Sequence, residues 1–498
     1  MAAIITEKFR QHNATQFFES FSEASKSTYY LFVGKATAYT SGTTGGSDSS
    51  PPTPSDSPTA TEFYAWDSML AAKNVTSSDI TYSIPRRNWA NGTTYDMYDD
   101  NISSSSTTTS GASNLYDSTF YFMTSDYRVY KVLDNNDGSA YSGAEPTSES
   151  TSPFELGGYV LKYMYSITTS EAAKYLTSDF IPISDDSTVS AAAVDGKIES
   201  IKVTAGTGYT NGTYYAAVYG DGTSAGTSSG AIIRITVASN QIQSFGLTAG
   251  TDTTIHSGGA AYTFGTVNLG SGYTFSDSGL SSASNMGGSG GAIEVVISPK
   301  NGHGNSAIAE LGGHYVMSAT TLTQAENDDI TTSNDFRQVG LVVDPTNYGT
   351  STVATASTRR QTFVVKAASS SGTFEIDEKI TQASTGAVGK VVEWDSTLSL
   401  LYFQQERFGD YGTNSTTGDH SVFTGANLIT GGTSSATLTP TTDSETITLA
   451  NNNTLSTTSG YANPELQPDS GNIVYLENRK PIQRDSDQTE DIKLIIEF

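Results

Sequence analysis

From Asp195 onward the chain is written in short apolar runs separated by glycine-rich turns, and it repeats itself. Ile198-Glu-Ser-Ile201 with Val203-Thr-Ala-Gly206 recurs as Ile242-Gln-Ser-Phe245 with Leu247-Thr-Ala-Gly250, and Gly230-Ala-Ile232 is echoed by Gly291-Ala-Ile293. Repeated strand-and-turn units of this kind bury their apolar faces against one another, which requires a β-domain. A second duplication places Phe374, Ile380-Thr381 and Gly386-Ala387 in register with Phe423, Ile429-Thr430 and Ser435-Ala436. It predicts a small β-module of two similar halves over 361–442.

The rest of the composition agrees. Charged residues make up 16% of the chain, against roughly 25% in an average domain, so the polar surface must come from Ser, Thr, Asn and Gly. Those residues, with abundant Tyr and Phe, suit pleated surfaces and turns. With 498 residues, more than one core is expected. Acidic side chains outnumber basic ones 52 to 26, and the net charge of −26 repels phosphate backbones and anionic membrane surfaces. Neither nucleic acid nor membrane is expected as a partner. The absence of cysteine excludes disulfides and thiolate-bound zinc. No apolar run approaches the roughly 18 residues of a membrane span, and the opening residues lack a signal-peptide pattern. A soluble protein made in the cytoplasm is expected.

Ile5, Phe9, Phe17 and Phe21 fall near helical spacing and predict an early amphipathic helix. Strands are expected at Tyr29–Val33, Phe120–Phe122, Val129–Val132 and Ile473–Leu476. The final run, Ile492, Leu494, Ile496 and Phe498, has the alternation of a half-buried strand. Loops are expected at 41–59, which holds three glycines and four prolines, and at 103–110.

A search for chemistry finds no catalytic pattern. None of the five histidines lies four residues from another, so a helical zinc pair is excluded, and His303 and His314 read as turn or packing histidines. Gly206-Thr-Gly208 and Gly270-Ser-Gly272 are followed by Tyr-Thr rather than by the helix that a dinucleotide fingerprint needs. Gly386 to Lys390 lacks the spacing and the final Ser/Thr of a nucleotide loop. Asp134-Asn-Asn-Asp137-Gly138 lacks the terminal Glu of a calcium loop and reads as an Asx-rich turn. No metal, cofactor, small-molecule substrate or enzymatic activity is expected.

Several segments, in order from one end of the chain to the other, are similar to one known family. They are Thr6 to Arg10, Ile84-Pro85-Arg86-Arg87-Asn88-Trp89, Gly158 to Val160 with Lys162-Tyr163, Phe336 to Gln338, and Val474 to Arg479 with Pro481-Ile482 and Asp487 to Glu490. Together they resemble the baseplate wedge proteins, gene product eight, of T-even-type contractile-tailed phages. The resemblance implies a non-enzymatic structural subunit of the virion tail baseplate, a homodimer that assembles with other wedge proteins and takes part in the rearrangement that triggers sheath contraction. It marks Pro85, Arg86, Arg87, Trp89, Glu477, Asn478, Arg479, Pro481, Asp487, Gln488, Thr489 and Glu490 as a structural or interface motif. Internal packing and a docking role weigh equally for these residues. The alternative is a tail fibre or receptor-binding adhesin that presents β-repeat loops to host glycans. The expected architecture is mainly β and multidomain, with inserted β-sandwich or barrel-like modules. Residues 1–194 with 443–498 form a discontinuous core domain with some helix, 195–300 a repetitive β-domain, 301–360 a connecting segment of the core and 361–442 the duplicated module.

Overall fold

Runs that alternate in apolar character become strands throughout this chain, and glycine- or Asx-rich segments become the turns between them. The computed structural model describes residues 5–39, 46–57, 60–221, 230–269, 280–405, 420–450 and 452–498. Strand accounts for 41% and helix for 10%, so the chain is mainly β as expected. It divides into two compact units, each discontinuous in sequence. One comprises Met1–Gln16, Thr81–Met317 and Ile495–Phe498; the other comprises Phe17–Ile80 and Ser318–Leu494.

In the first unit, Tyr121–Met123, Arg128–Asp134, Tyr159–Ser166 and Phe154–Leu156 form a four-stranded antiparallel sheet in that order. Alternation distributes its side chains to two cores. Tyr121, Met123, Val129 and Met164 enter one, and Phe122, Tyr130, Val132 and Leu161 enter the other. A sheet covered on both faces has no polar face, which explains the almost unbroken apolar run Tyr159 to Tyr165. The turn Asp134 to Gly138 is closed by its own side chains, Asn136 N–H donating to Asp134 (2.9 Å) and Gly138 N–H to Asn135 (3.0 Å).

The repetitive segment builds a seven-stranded sheet from Ser200–Thr204, Gly212–Gly220, Ala231–Ala238, Gln241–Ile242, Thr254–Gly258, Gly265–Val267 and Ala292–Val296. Ile201, Val218, Ile233, Ile235 and Val295 form its core, which continues into Leu133 and Val160. The two Gly-Ala-Ile echoes both become strands. The longer echo does not: Ile198 and Ile201 lead into Ser200–Thr204, whereas Ile242 ends a two-residue strand and Phe245 makes an isolated bridge to Thr253. Ile198, Ile201, Ile242 and Phe245 stay in the core and Val203 packs against it, whereas Leu247, the counterpart of Val203, is exposed. At the leading apolar positions burial was therefore retained where strand pairing was not. Gly206 precedes the short strand Thr207–Tyr209 and Gly208 lies within it, with no helix following. The companion string Gly270 to Thr274 lies outside the described residues, as do 41–45 and 58–59 of the expected loop, whose described part, 46–57, is irregular apart from a Ser47–Ser50 bridge.

The second unit holds a five-stranded antiparallel sheet in the order Thr358–Arg360, Met69–Val75, Tyr29–Gly34, Phe336–Val343, Asn472–Ile482. Gly340 faces Phe32 on one side and Leu476 on the other. A Cβ there would stand 2.3 Å from the Phe32 ring and 2.7 Å from the Tyr475 carbonyl, so only glycine lets the three strands close up.

The duplicated module is a closed ring of six antiparallel strands. Phe363–Ser371 pairs with Leu400–Gln404, which pairs with Ala387–Asp395, then Lys379–Gln382, Ile429–Gly431 and Thr437–Pro440, which returns to Phe363–Ser371. The sequence echo maps onto the ring. Thr381 faces Val388 as Thr430 faces Thr437, and Thr381 and Thr430 face each other at the junction of the halves. Each half's leading strand pairs with the other half's last strand, so the halves are exchanged across a pseudo-two-fold axis. Phe374 and Phe423, equivalent in the echo, both enter the barrel core, with Ile380, Ile429, Phe403 and Leu438.

The early helix forms at Glu7–Glu19, but only Ala14 of it is buried. Phe9 (54% exposed) and the preceding Ile5 (61%) remain in solvent.

Candidate functional site

The two groups of motif residues fall in different units. In the first unit, the strand Ile80–Pro85 ends at Pro85, whose ring removes the next ladder donor. The segment that follows is held almost wholly by backbone carbonyls. Arg86 donates to the Thr177 carbonyl (2.7 Å) and to Asn88 Oδ1 (2.9 Å), and Arg87 to the Tyr116 carbonyl (2.9 Å). The Arg87 guanidinium also lies 4.5 Å from the centre of the Tyr121 ring, and the Tyr121 hydroxyl donates to the Pro85 carbonyl (2.7 Å). Trp89 packs edge-on against Tyr141 at 5.8 Å, and its backbone N–H donates to the Met123 carbonyl (2.8 Å). The forked guanidiniums thus tie three loops to one sheet. Arg87 Nη1 and Trp89 Nε1 are buried without a hydrogen-bond partner among the described residues.

In the second unit, Glu477, Asn478, Arg479 and Pro481 lie on Asn472–Ile482, at the end of the sheet order. That position tolerates a proline. Asn478 accepts from Gln338 (2.8 Å) and donates to the Pro52 carbonyl (2.9 Å), pinning the loop before it. Glu477, half-buried, accepts from Tyr475 (2.9 Å) and lies 3.6 Å from Arg479, which is exposed. Asp487, Gln488 and Thr489 are exposed. The Gln488 carbonyl accepts from Gln324 N–H (3.1 Å). Glu490 is buried and receives both arms of Arg484 (3.2 and 3.1 Å), which also donates to the carbonyls of Thr331 (2.7 Å) and Gln324 (2.6 Å). Arg484 escaped the sequence reading because a single arginine in a polar turn carries no pattern.

A second polar centre was also missed. Lys131, fully buried, donates to Glu310 (2.7 Å), contacts His303 Nδ1 (2.8 Å) and stands 4.0 Å from the centre of the Tyr98 ring. Gly304 N–H donates to the other Glu310 oxygen (2.7 Å). Nearby, buried Lys162 donates to the Thr151 carbonyl (2.6 Å) and lies 3.9 Å from Glu199. Burial lowers the proton affinity of both lysines, against the pull of Glu310 and Glu199, and it pushes His303 far below its ordinary range, aided by Lys131. His303 is a neutral packing histidine. His314 sits 3.2 Å from Glu7 and 4.0 Å from Glu497, which also pairs with Arg10 at 2.7 Å. No group of His, Asp and Glu among the described residues could hold a metal ion, and no described helix is long and apolar enough to cross a membrane.

These geometries fix shape; nothing in them aligns a nucleophile with a base. The family model described as Phage-Gp8, Bacteriophage T4 Gp8, matches residues 3–144 and 441–498. All twelve motif residues lie inside those two segments, whereas the repetitive sheet and nearly all of the duplicated barrel lie between them. No curated protein matches the chain.

Proposed function

From the premise that this chain belongs, through both of its ends, to the Phage-Gp8 family, we propose that it works in the tail baseplate as a homodimeric wedge subunit. In this reading it binds neighbouring wedge proteins and moves with them in the rearrangement that triggers sheath contraction. The family match supports the structural role in the phage baseplate wedge, and it is the observation that carries the proposal. The site chemistry is consistent: Arg86 and Arg87 donate to the chain's own backbone carbonyls and buried Glu490 is paired with Arg484, as suits a part whose work is to hold shape. For contact with a neighbour, the strand Asn472–Ile482 offers Arg479 and Lys480, exposed cations in an acidic chain. Cations there meet an acidic partner surface with complementary potential.

The test is co-expression with the other wedge proteins of the same phage, together with a mass measurement in solution. A dimer that co-purifies with wedge proteins is expected, and Arg479→Glu should weaken co-purification without unfolding the chain. A trimer that ignores wedge proteins would instead identify a fibre or adhesin.

A further inference from the structure

The second unit contains a cleft of about 380 Å³ that no part of the wedge reading uses. Its size falls within the roughly 300–1,000 Å³ of small-molecule sites. Its lining includes the aromatic side chains of Phe363, Tyr461 and Tyr348, the last 38% exposed. The same lining holds the carboxamides of Gln404, Gln405 and Gln467. These amides are held in place. Gln404 donates to the Met69 carbonyl (2.7 Å), and Gln405 donates to those of Val388 and Ser421 (3.0 Å each). Gln467 accepts from Gly349 N–H (3.0 Å), while its NH₂ makes only a 3.5 Å contact with the Pro468 carbonyl and keeps donor capacity.

We infer that this cleft binds a neutral sugar, the face of one pyranose ring against an aromatic side chain and its hydroxyls against the amides. Three properties select that class. Hydroxyls both donate and accept, as carboxamides do: Gln404 and Gln467 keep donor capacity, and Gln405, whose NH₂ is engaged by two carbonyls, offers its oxygen. The C–H face of a pyranose is apolar and matches an aromatic ring. Among the described residues the lining contains no lysine or arginine but does contain Asp67 and Asp469, which disfavours phosphates, nucleotides and acidic sugars. A purely apolar ligand would leave the amides facing hydrocarbon. This site does not rest on the wedge assignment, and a wedge subunit with or without it remains a wedge subunit.

The test is saturation-transfer NMR and calorimetry on the full chain with methyl glucoside, lactose and N-acetylglucosamine, with sialyllactose and putrescine as charged controls. At least one neutral sugar should bind at millimolar or lower concentration. Its affinity should fall roughly tenfold or more in Tyr348→Ala. Val422→Trp, at a lining position that is 62% exposed, should block the mouth independently of Tyr348. Thermal melts of both variants should match the parent. Failure of every neutral sugar, binding that survives both substitutions, or preference for either charged control would overturn the inference.

Discussion

Lys131 and Glu310 show how costly a single buried charge can be in a protein that has few of them. Neither side chain exceeds 3% exposure, so removing one partner strands the other in a medium that cannot solvate it. Glu310→Leu should cost about 3–5 kcal/mol, while Lys131→Met with Glu310→Leu should recover much of the loss, because an apolar pair of similar volume is often as stable as the ion pair. Urea denaturation of the two variants measures both numbers; equal losses would mean that the pair is not coupled. Asp134 supplies a pH dependence. Burial raises its carboxyl from an ordinary 3.8 to about 6, so the folded chain holds this proton more tightly than the unfolded chain does. Its contribution to stability is therefore complete below about pH 4 and is lost as pH rises through about 6. Asp134→Asn should remove that slope, a relative effect on the order of 2–3 kcal/mol between the two limits. Denaturation midpoints of parent and variant at pH 4 and pH 7.5 decide it. Asp329, raised to about 6 by burial, acts in the same direction in the other unit.

At the scale of elements, the exchanged halves of the barrel make a symmetry prediction. Thr381 and Thr430 are equivalent, each in a strand flanked on both sides, and each faces the other. Proline at either position removes a ladder donor inside the ring. Thr381→Pro and Thr430→Pro should therefore destabilise the barrel by similar amounts, within about 1 kcal/mol of each other on the usual scale of mutational effects. Hydrogen exchange over 379–395 and 429–440 would reveal any asymmetry. Several strands were legible in the sequence because their signal is local: Tyr29–Gly34, Tyr121–Met123 and the alternating end of the chain all carry their own pattern. So was the duplication. Its closure into a ring was legible only as one of two options, sandwich or barrel, since the pairing of Phe363–Ser371 with Thr437–Pro440 leaves no mark in either segment. The early helix was legible as a helix, yet the exposure of Ile5 and Phe9 was not, because periodicity says which face is apolar and not what covers it. The Pro85 to Trp89 and Val474 to Glu490 segments were found by resemblance. Partners such as Thr177 and Tyr116 were invisible because backbone carbonyls have no sequence signature, and nothing in the sequence joins Lys131 to Glu310, 179 residues away.

For the whole molecule, the two ends of this sequence meet in the first unit, where Arg10 pairs with Glu497 and Phe498 N–H donates to the His314 carbonyl (3.2 Å). Ile492 and Leu494 are buried, and each such side chain contributes roughly 1.5–3 kcal/mol. Deleting 492–498 should thus remove several kcal/mol, a large part of a typical domain's margin. Hydrogen exchange on the truncated chain should show lost protection near Arg10 and Gln11, and unchanged protection there would mean that the helix stands without the end of the chain.

The interleaving of the two units also sets a timetable for synthesis. Tyr29 to Val33, buried throughout in the finished sheet, leave the ribosome long before Phe336–Val343, the strand that covers one of their edges, and longer still before Asn472–Ile482. For that interval a run of Tyr, Leu, Phe and Val presents unpaired N–H and C=O groups on a nascent chain, the template on which strands of other copies can add. Pairing across such sequence distance is slow. Yield would then depend on how long that strand is shielded, by chaperones or by dilution, and so on the rate at which translation reaches Phe336–Val343.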